Sequence, residues 1–448
     1  MTVLRRLTSF ALLGAATLAL AGCNDGSGDP QAQLGADPKL PAQQNYLLPP
    51  MHLAKIIGWQ QGETPTVANG LQIKALATGL EHPRVVYTLP NGDILVVESK
   101  APPGPAPRRP KDIVMGFVES WATGGGGNTG PGNRITLLRD ADGDGVAEVR
   151  SVFLDHLYSP FGVALVGNDL YVANADAIVR YPYREGDTKI TAPGTELTKL
   201  PGGPINHHWT KSLVASRDGK MLYVGVGSNS NIAENGMEAE KNRAAILEVD
   251  RESGRTRLFA SGLRNPNGLS FEPQTGALWA VINERDEIGP DLVPDYLTSV
   301  KDGAFYGWPY SYWGQHVDPR VQPPRPDLVA SAVMPDYSLS SHVAPLGLVF
   351  TGDAAGLPGA YRNGAFIGEH GSWNRQQLNG YKVVFVPFSN GKPSGPAQDV
   401  VTGFLKDGQA RGRPVGVALD RRGALLVADD TGNAVWRVTA APGQSASR

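Results

Sequence analysis

A single cysteine, Cys23, is all the thiol chemistry the 448-residue chain carries. One thiol excludes an internal disulfide, and it excludes the cysteine pair of a c-type haem attachment. Charge excess is lacking too. Lys and Arg number 41 against 43 Asp and Glu, a net charge of -2, so nothing in the balance points to nucleic acid. Long apolar runs are missing as well. The best candidate, Phe10 to Leu20, is too short for the roughly 20 residues of a membrane-spanning helix. It follows Arg5 and Arg6 and leads into Leu20-Ala21-Gly22-Cys23. Residues 1–22 therefore read as a lipoprotein signal peptide and Cys23 as the acylated first residue of the mature chain. An ordinary signal peptide would leave the position of the sole thiol unexplained. The expected location is the cell envelope, on the periplasmic side, with the N-terminal lipid as the membrane attachment. Residues 23–55, rich in Gly, Asp, Gln and Pro, read as a flexible tether.

Glycine and proline are abundant, at 55 and 36 residues, while charged residues make only 19%. That mixture predicts many turns and short apolar strands, an all-β repeat architecture, and argues against a dinucleotide-binding α/β fold. One phrase recurs six times: an apolar strand, a glycine turn, and a second alternating strand. The copies are 79–98, 157–173, 209–226, 262–281, 343–368 and 412–428. Their turns include Asn91-Gly92, Gly167-Asn168, Asp218-Gly219, Thr275-Gly276 and Arg422-Gly423. A hairpin cannot bury its apolar faces alone, but radial stacking buries them. At roughly 60 residues per copy there is room for four short strands each, which predicts a six-bladed β-propeller over 56–440 with a tail at 441–448. A β-sandwich pair or a β-helix is the rival. Irregular spacing disfavours the helix, and the lack of a linker disfavours two domains. Ala101 to Lys111 and Gly124 to Asn133 are inserted loops by composition. The last copy runs on into Trp436-Arg437-Val438, which is expected to close the ring against N-terminal material.

A propeller gathers polar residues at the heads of its inner strands, on one face. His208, in Asn206-His207-His208-Trp209-Thr210-Lys211, is a candidate general base. Gly262-Leu263-Arg264-Asn265-Pro266-Asn267-Gly268 offers an arginine suited to carboxylates or a developing oxyanion. Asn283-Glu284-Arg285-Asp286-Glu287-Ile288-Gly289-Pro290-Asp291 is an oxygen-rich loop with the makings of a calcium site. His342, Glu369-His370-Gly371-Ser372-Trp373-Asn374-Arg375 and Arg411-Gly412-Arg413-Pro414 bring cations from the last two copies. Several arginines converging from different blades suit a polyanionic small molecule. Each cluster also has a plain reading, as a solvated or hydrogen-bonded loop. Separately, Asp140, Asp142, Asp144 and Glu148 stand at positions 1, 3, 5 and 9 of a loop with Gly145 at position 6. Position 12 is Ser151, so this is a candidate calcium-binding hairpin, not a helix-loop-helix site.

With these clusters in view, the chain from Leu76 to Val438 resembles the PQQ-dependent sugar dehydrogenases, the soluble glucose and sorbosone dehydrogenase family, and most of all its L-sorbosone dehydrogenase branch. The resemblance rests on the order of Gly79-Leu80-Glu81-His82-Pro83-Arg84, His208-Trp209-Thr210-Lys211, Gly262 to Gly268, Tyr306-Gly307-Trp308-Pro309-Tyr310, His370 to Arg375, and Gly412 to Val417. It implies that pyrroloquinoline quinone (PQQ), which carries three carboxylates, lies on one face of the propeller. Arg84, Arg264, Asn265, Arg375 and Arg413 would bind it. It further implies that His208 takes a proton from an anomeric hydroxyl or aldehyde hydrate as hydride passes to the quinone. Arg264 would stabilise the oxyanion, and an active-site Ca2+ in the Arg285, Asp286 and Asp291 loop, held through backbone carbonyls, would polarise the carbonyl. In the glucose-oxidising branch an aspartate supports the histidine, and here Gly227-Ser228 stands in its place.

The rivals are a calcium-dependent lactonase and a non-catalytic, lipid-tethered binding propeller. A lactonase has no need of the arginines, and a binding module has no need of His208 beside them. The expected partners are a small-molecule sugar and, since no haem motif is present, an external electron acceptor, either a membrane quinone or a separate redox protein.

Overall fold

The computed structural model describes residues 28–44, 51–103, 132–352 and 356–443. The expected signal peptide with Cys23, most of both inserted loops and the tail beyond 443 lie outside them. Each phrase found in the sequence forms the two inner strands of an antiparallel sheet, and the next stretch of chain supplies the outer strands. The first sheet is Pro83–Thr88, Ile94–Glu98, Arg134–Arg139 and Val149–Leu154. The second is Gly162–Val166, Asp169–Ala173, Ala177–Pro182 and Thr195–Lys199. The third is Leu213–Ala215, Met221–Val226, Ala245–Asp250 and Thr256–Ser261. The fourth is Asn265–Phe271, Leu278–Asn283, Pro294–Ser299 and Tyr337–Ser341. The fifth is Pro345–Thr351, Gly364–Glu369, Lys382–Ser389 and Gln398–Thr402. The sixth joins Pro414–Leu419, Leu425–Asp429 and Ala434–Ala440 to Leu71–Thr78 from the start of the domain, the closure expected of Trp436-Arg437-Val438.

Strand alternation explains why the sheets form a ring. In Ile94–Glu98, Leu95 and Val97 enter an apolar cluster shared with the second sheet, while Ile94 and Val96 enter one shared with the sixth. Both faces of the sheet are thus buried, as successive side chains point to opposite sides. Further clusters lie between the second and third, third and fourth, fourth and fifth, and fifth and sixth sheets. The inner strands approach so closely that only glycine fits. A Cβ on Gly162 would meet Lys211 O at 2.5 Å, one on Gly225 would meet Pro266 O at 2.6 Å, and one on Gly268 would meet Leu348 N at 2.8 Å. On Gly347 it would meet Val415 O at 2.2 Å, and on Gly416 it would meet Arg84 O at 2.6 Å. The high glycine content is therefore spent partly on packing sheet against sheet around an axis. The fold is a β-propeller. Around its axis runs a channel of about 680 Å³, lined by inner-strand residues such as Tyr87, Leu165, Val214 and Leu348. Phe161, Leu346 and Val415, with Val85 and Trp209 against them, form an apolar plug at the strand heads.

Part of the stretch read as a tether is docked on the propeller. Leu34–Gly35 adds an edge strand to the fourth sheet, pairing with Leu339 and Ser338. Gln33 is buried, donating to Asp291 O at 2.8 Å and accepting from Ser341 N at 3.1 Å. Gln44 N donates to Ile288 O at 2.8 Å. Composition missed this because a polar glutamine whose amide finds both kinds of partner can be buried as readily as an apolar residue.

Candidate active site

The inner strands all begin on one face, which brings the predicted residues of different sheets together. His208 precedes the first strand of the third sheet. Its Nδ1 lies 2.9 Å from Ser228 O and 3.0 Å from Ser228 Oγ. The Ser228 hydroxyl donates to Ser230 O at 2.6 Å, so Nδ1 is the protonated nitrogen, donating to the Ser228 carbonyl. Nε2 then carries the free lone pair. Burial, helped by the positive charge of Arg264, holds the His208 pKa well below its ordinary value, against the opposing pull of the Ser228 hydrogen bond. A neutral imidazole with a bare nitrogen is a ready base. A Cβ on Gly227 would meet both His208 Cβ and Asn265 Oδ1, so His208 and Asn265 stand on either side of it.

Next to His208, the Trp209 ring packs edge-on to Phe161 with centroids 6.2 Å apart, and the Arg84 guanidinium lies 5.9 Å from its centre. Arg84 is paired with Asp430, which also accepts from His370 Nε2 at 2.9 Å. Burial works to raise Asp430, but its contacts with His370 and Arg84 and the charge of Arg413 hold it far below the usual carboxylate range. Burial and the charge of Arg413 lower His370 to about 4. Arg413 completes this arc, its Nε and one terminal nitrogen each 2.9 Å from the carbonyls of His370 and Gly371 and its guanidinium 5.2 Å from the Tyr381 ring. His208, Asn265, Arg84 and Arg413 thus stand around one mouth above the apolar plug. Arg84 Nε and Asn265 Oδ1 are buried there without a hydrogen-bond partner.

The other expected residues are engaged by protein partners. Arg264 does not turn a free guanidinium toward the mouth. Its nitrogens bond Glu284 O at 2.6 Å, Asn231 Oδ1 at 3.0 Å and Asp286 Oδ2 at 2.9 Å, knitting two loops together. Arg375 is wholly buried, paired with Asp291 at 3.2 Å and bonded to Ser341 Oγ at 2.9 Å. The residues expected to share an active-site calcium, Arg285, Asp286 and Asp291, face three different partners. Arg285 pairs with Asp318 and donates to Asp286 O; Asp286 takes Arg264 and Asn374; Asp291 takes Arg375 and Gly28 N. Carboxylates were counted in that loop, but the arginines that reach them come from elsewhere in the chain. Burial raises Glu284 to about 7 and Asp295 to about 8. The other acidic loop does gather. Ligand atoms of Asp140, Asp142, Asp144 and Glu148 lie within 4.8 Å of one another, among the described residues. Sequence reasoning overlooked Asp430, whose place in an Asp-Asp pair at a strand end looks like a solvated turn; Ser228 it found at the supporting position without showing that its carbonyl takes the role.

A family model described as TrAA12-like matches residues 130–294 and 329–441. The chain is 23% identical to the aldose sugar dehydrogenase YliI of Escherichia coli over 69% of its own length and 79% of that protein. Among solved structures, it is similar to the holo form of a pyranose dehydrogenase PQQ domain from Coprinopsis cinerea, with a TM-score of 0.68 and 23% identity over 85% of this chain and 98% of that one. A calcium structure of a Trichoderma reesei carbohydrate-active enzyme of family AA12 matches with a TM-score of 0.67 and 20% identity, over 88% and 99% of the two chains.

Proposed function

The chain belongs to the TrAA12-like family, and from that premise we propose that it is a PQQ-dependent dehydrogenase that oxidises an aldose or a sugar aldehyde. The observation that carries the reading is the His208 imidazole, fixed in one tautomer beside a cationic arc from the first, fifth and sixth sheets. The residues present fit a flat polyanion. Arg84 keeps a buried Nε with no partner, Arg413 adds a second cation, and the Trp209 face and the apolar plug offer a surface for a ring system. Bound there, PQQ supplies the two-electron acceptor for the hydride that leaves the sugar carbon. The chain's own part is threefold. Arg84 and Arg413 would hold carboxylates, with Asp430 fixing the direction of Arg84. Asn265, across Gly227 from His208, orients a polar edge. His208 Nε2 takes the proton of the anomeric hydroxyl or of the aldehyde hydrate, leaving the oxygen's electron pair to form the carbonyl as hydride departs.

The side chains of the loop from Arg285 to Asp291 are engaged in ion pairs, so an active-site calcium there would be held through backbone carbonyls, and no step is assigned to it. The converged carboxylates at 140–148 do fit calcium, in a structural role in the hairpin after Arg134–Arg139. The sorbosone type of substrate rests on the motif order alone. Lipid attachment at Cys23 would hold the enzyme to the membrane on the periplasmic side, supported by the lipobox, with a membrane quinone or separate redox protein accepting the electrons. The test is to add PQQ and calcium to purified apoprotein, titrate cofactor binding, and follow dye reduction with aldoses. Tight binding with sugar-dependent reduction supports the reading; absence of cofactor binding overturns it.

A further inference from the structure

The loop that carries His208 has no regular structure between Pro201 and Ser212, and two cations hold it. Lys211 is 0% exposed, and its side chain curls back along the chain. Its ammonium lies 2.9 Å from Trp209 O and 3.5 Å from both His208 O and Asn206 Oδ1. None of these acceptors is a carboxylate. Arg243, from the loop after Met237–Glu240, reaches the same place from the other side. One terminal nitrogen lies 3.0 Å from Asn206 Oδ1 and 3.3 Å from Gly227 O; the other lies 2.9 Å from Pro201 O. Gly227 precedes Ser228, the residue that orients the imidazole. Both halves of the His208–Ser228 contact are therefore tied by backbone carbonyls to buried cations. Burial, with Arg243 beside it, holds the Lys211 amine well below its ordinary pKa against the pull of Asp176. Burying that polar head against neutral hydrogen-bond acceptors is costly, and an apolar side chain would fill the space at less expense in stability. Lys211 serves something other than the core.

We propose that Lys211 is a positioning residue for the base: its ammonium gathers the carbonyls of His208 and Trp209 and so fixes the backbone from which the imidazole projects. The direction of Nε2 into the mouth follows from that grip together with the Ser228 contact. This rests on His208 being the base, and the two claims separate experimentally. Apoprotein labelled with 15N-histidine reports the ring tautomer without cofactor or turnover. In Lys211→Met, the single His208 tautomer gives way to a mixture, PQQ affinity stays unchanged, and kcat falls about a hundredfold, the scale of a misplacement near 1 Å. In Lys211→Ala, added methylammonium restores part of the lost kcat. If Lys211→Met does not fold, Lys211→Gln, which keeps an N–H donor, is read in its place and shows the same changes in smaller measure. A preserved tautomer in a folded variant overturns the proposal, whatever happens to kcat. A disturbed tautomer with undiminished kcat upholds the positioning role and removes His208 as the base.

Discussion

His208 Nδ1 lies 2.9 Å from the carbonyl oxygen of Ser228, where a carboxylate would be the expected support for a catalytic histidine. A neutral acceptor fixes the tautomer as well as a carboxylate does, but it raises the basicity of the ring less, and here burial and Arg264 outweigh it. The enzyme thus keeps an imidazole that stays unprotonated well below its usual range. Removing the ring in His208→Ala is expected to lower kcat by about 10²- to 10⁴-fold while cofactor binding persists. The acid limb of the wild-type kcat/KM profile should have its midpoint below the ordinary histidine pKa of about 6.5. A midpoint above that value, or an active alanine variant, would move the base elsewhere.

Arg84 and Arg375 should behave differently although both are arginines at strand heads or loops of one face. Arg84 retains an unpartnered nitrogen at the mouth, so Arg84→Ala should weaken PQQ binding by about 10-fold or more, with a smaller loss of stability than at Arg375 because Asp430 keeps its His370 contact. Arg375 is buried against Asp291, so Arg375→Ala strands that carboxylate and should cost about 3–5 kcal/mol of stability. Calorimetric titration beside thermal denaturation separates the two; the reverse pattern would contradict the assignment of the cofactor site.

Calcium at the 140–148 carboxylates should stabilise the first sheet by mass action. At 100 times its dissociation constant the gain is about 2.7 kcal/mol, seen as a rise in melting temperature that a chelator reverses. Asp142→Asn should lose most of that calcium-dependent increment. An increment untouched by the substitution would place the ion at another locus.

Glu369 carries a pH dependence that can be read in stability. Burial raises its pKa to about 8, so the folded protein keeps this proton where the unfolded chain has released it. With the folded state binding more protons, the contribution is fully present below the unfolded pKa and is lost as pH rises through about 8. Glu369→Gln, which cannot ionise, should gain stability relative to wild type between pH 5 and pH 9. Parallel denaturation curves across that range would refute the burial argument.

Gly416→Ala tests the packing of sheet against sheet. The added methyl would stand 2.6 Å from Arg84 O and 2.9 Å from Val85 Cα, wedging the sixth sheet from the first. A destabilisation of about 1–3 kcal/mol is expected, together with weaker cofactor binding because Arg84 is displaced. A neutral substitution would mean that the two sheets have room to part.

The hairpins were legible in the sequence because a glycine turn and strand alternation are local signals, and Asp218-Gly219 folds where it is written. The docking of Gln33 was not legible, since its partners at Asp291 and Ser341 are distant in the chain. Within the site, His208 and Arg84 could be found from motif and position. Arg264 and Arg375 could not be placed, because residue type reveals a charge but not the carboxylate that quenches it. Asp286 and Asp291 were expected to face a metal ion, and each faces an arginine. Lys211 and Asp430 act through neighbours that only folding supplies.

The pairing of Leu71–Thr78 with Ala434–Ala440 has a temporal side. One sheet is made from both ends of the propeller sequence, so the ring cannot be completed by a chain that is still emerging. Five sheets can take shape in order, but the circle stays open until the last strand arrives, a slow and highly non-local step. Export across a membrane, as proposed above, would profit from that delay: threading demands a polypeptide that has not yet locked, and the lock is the final piece to be delivered.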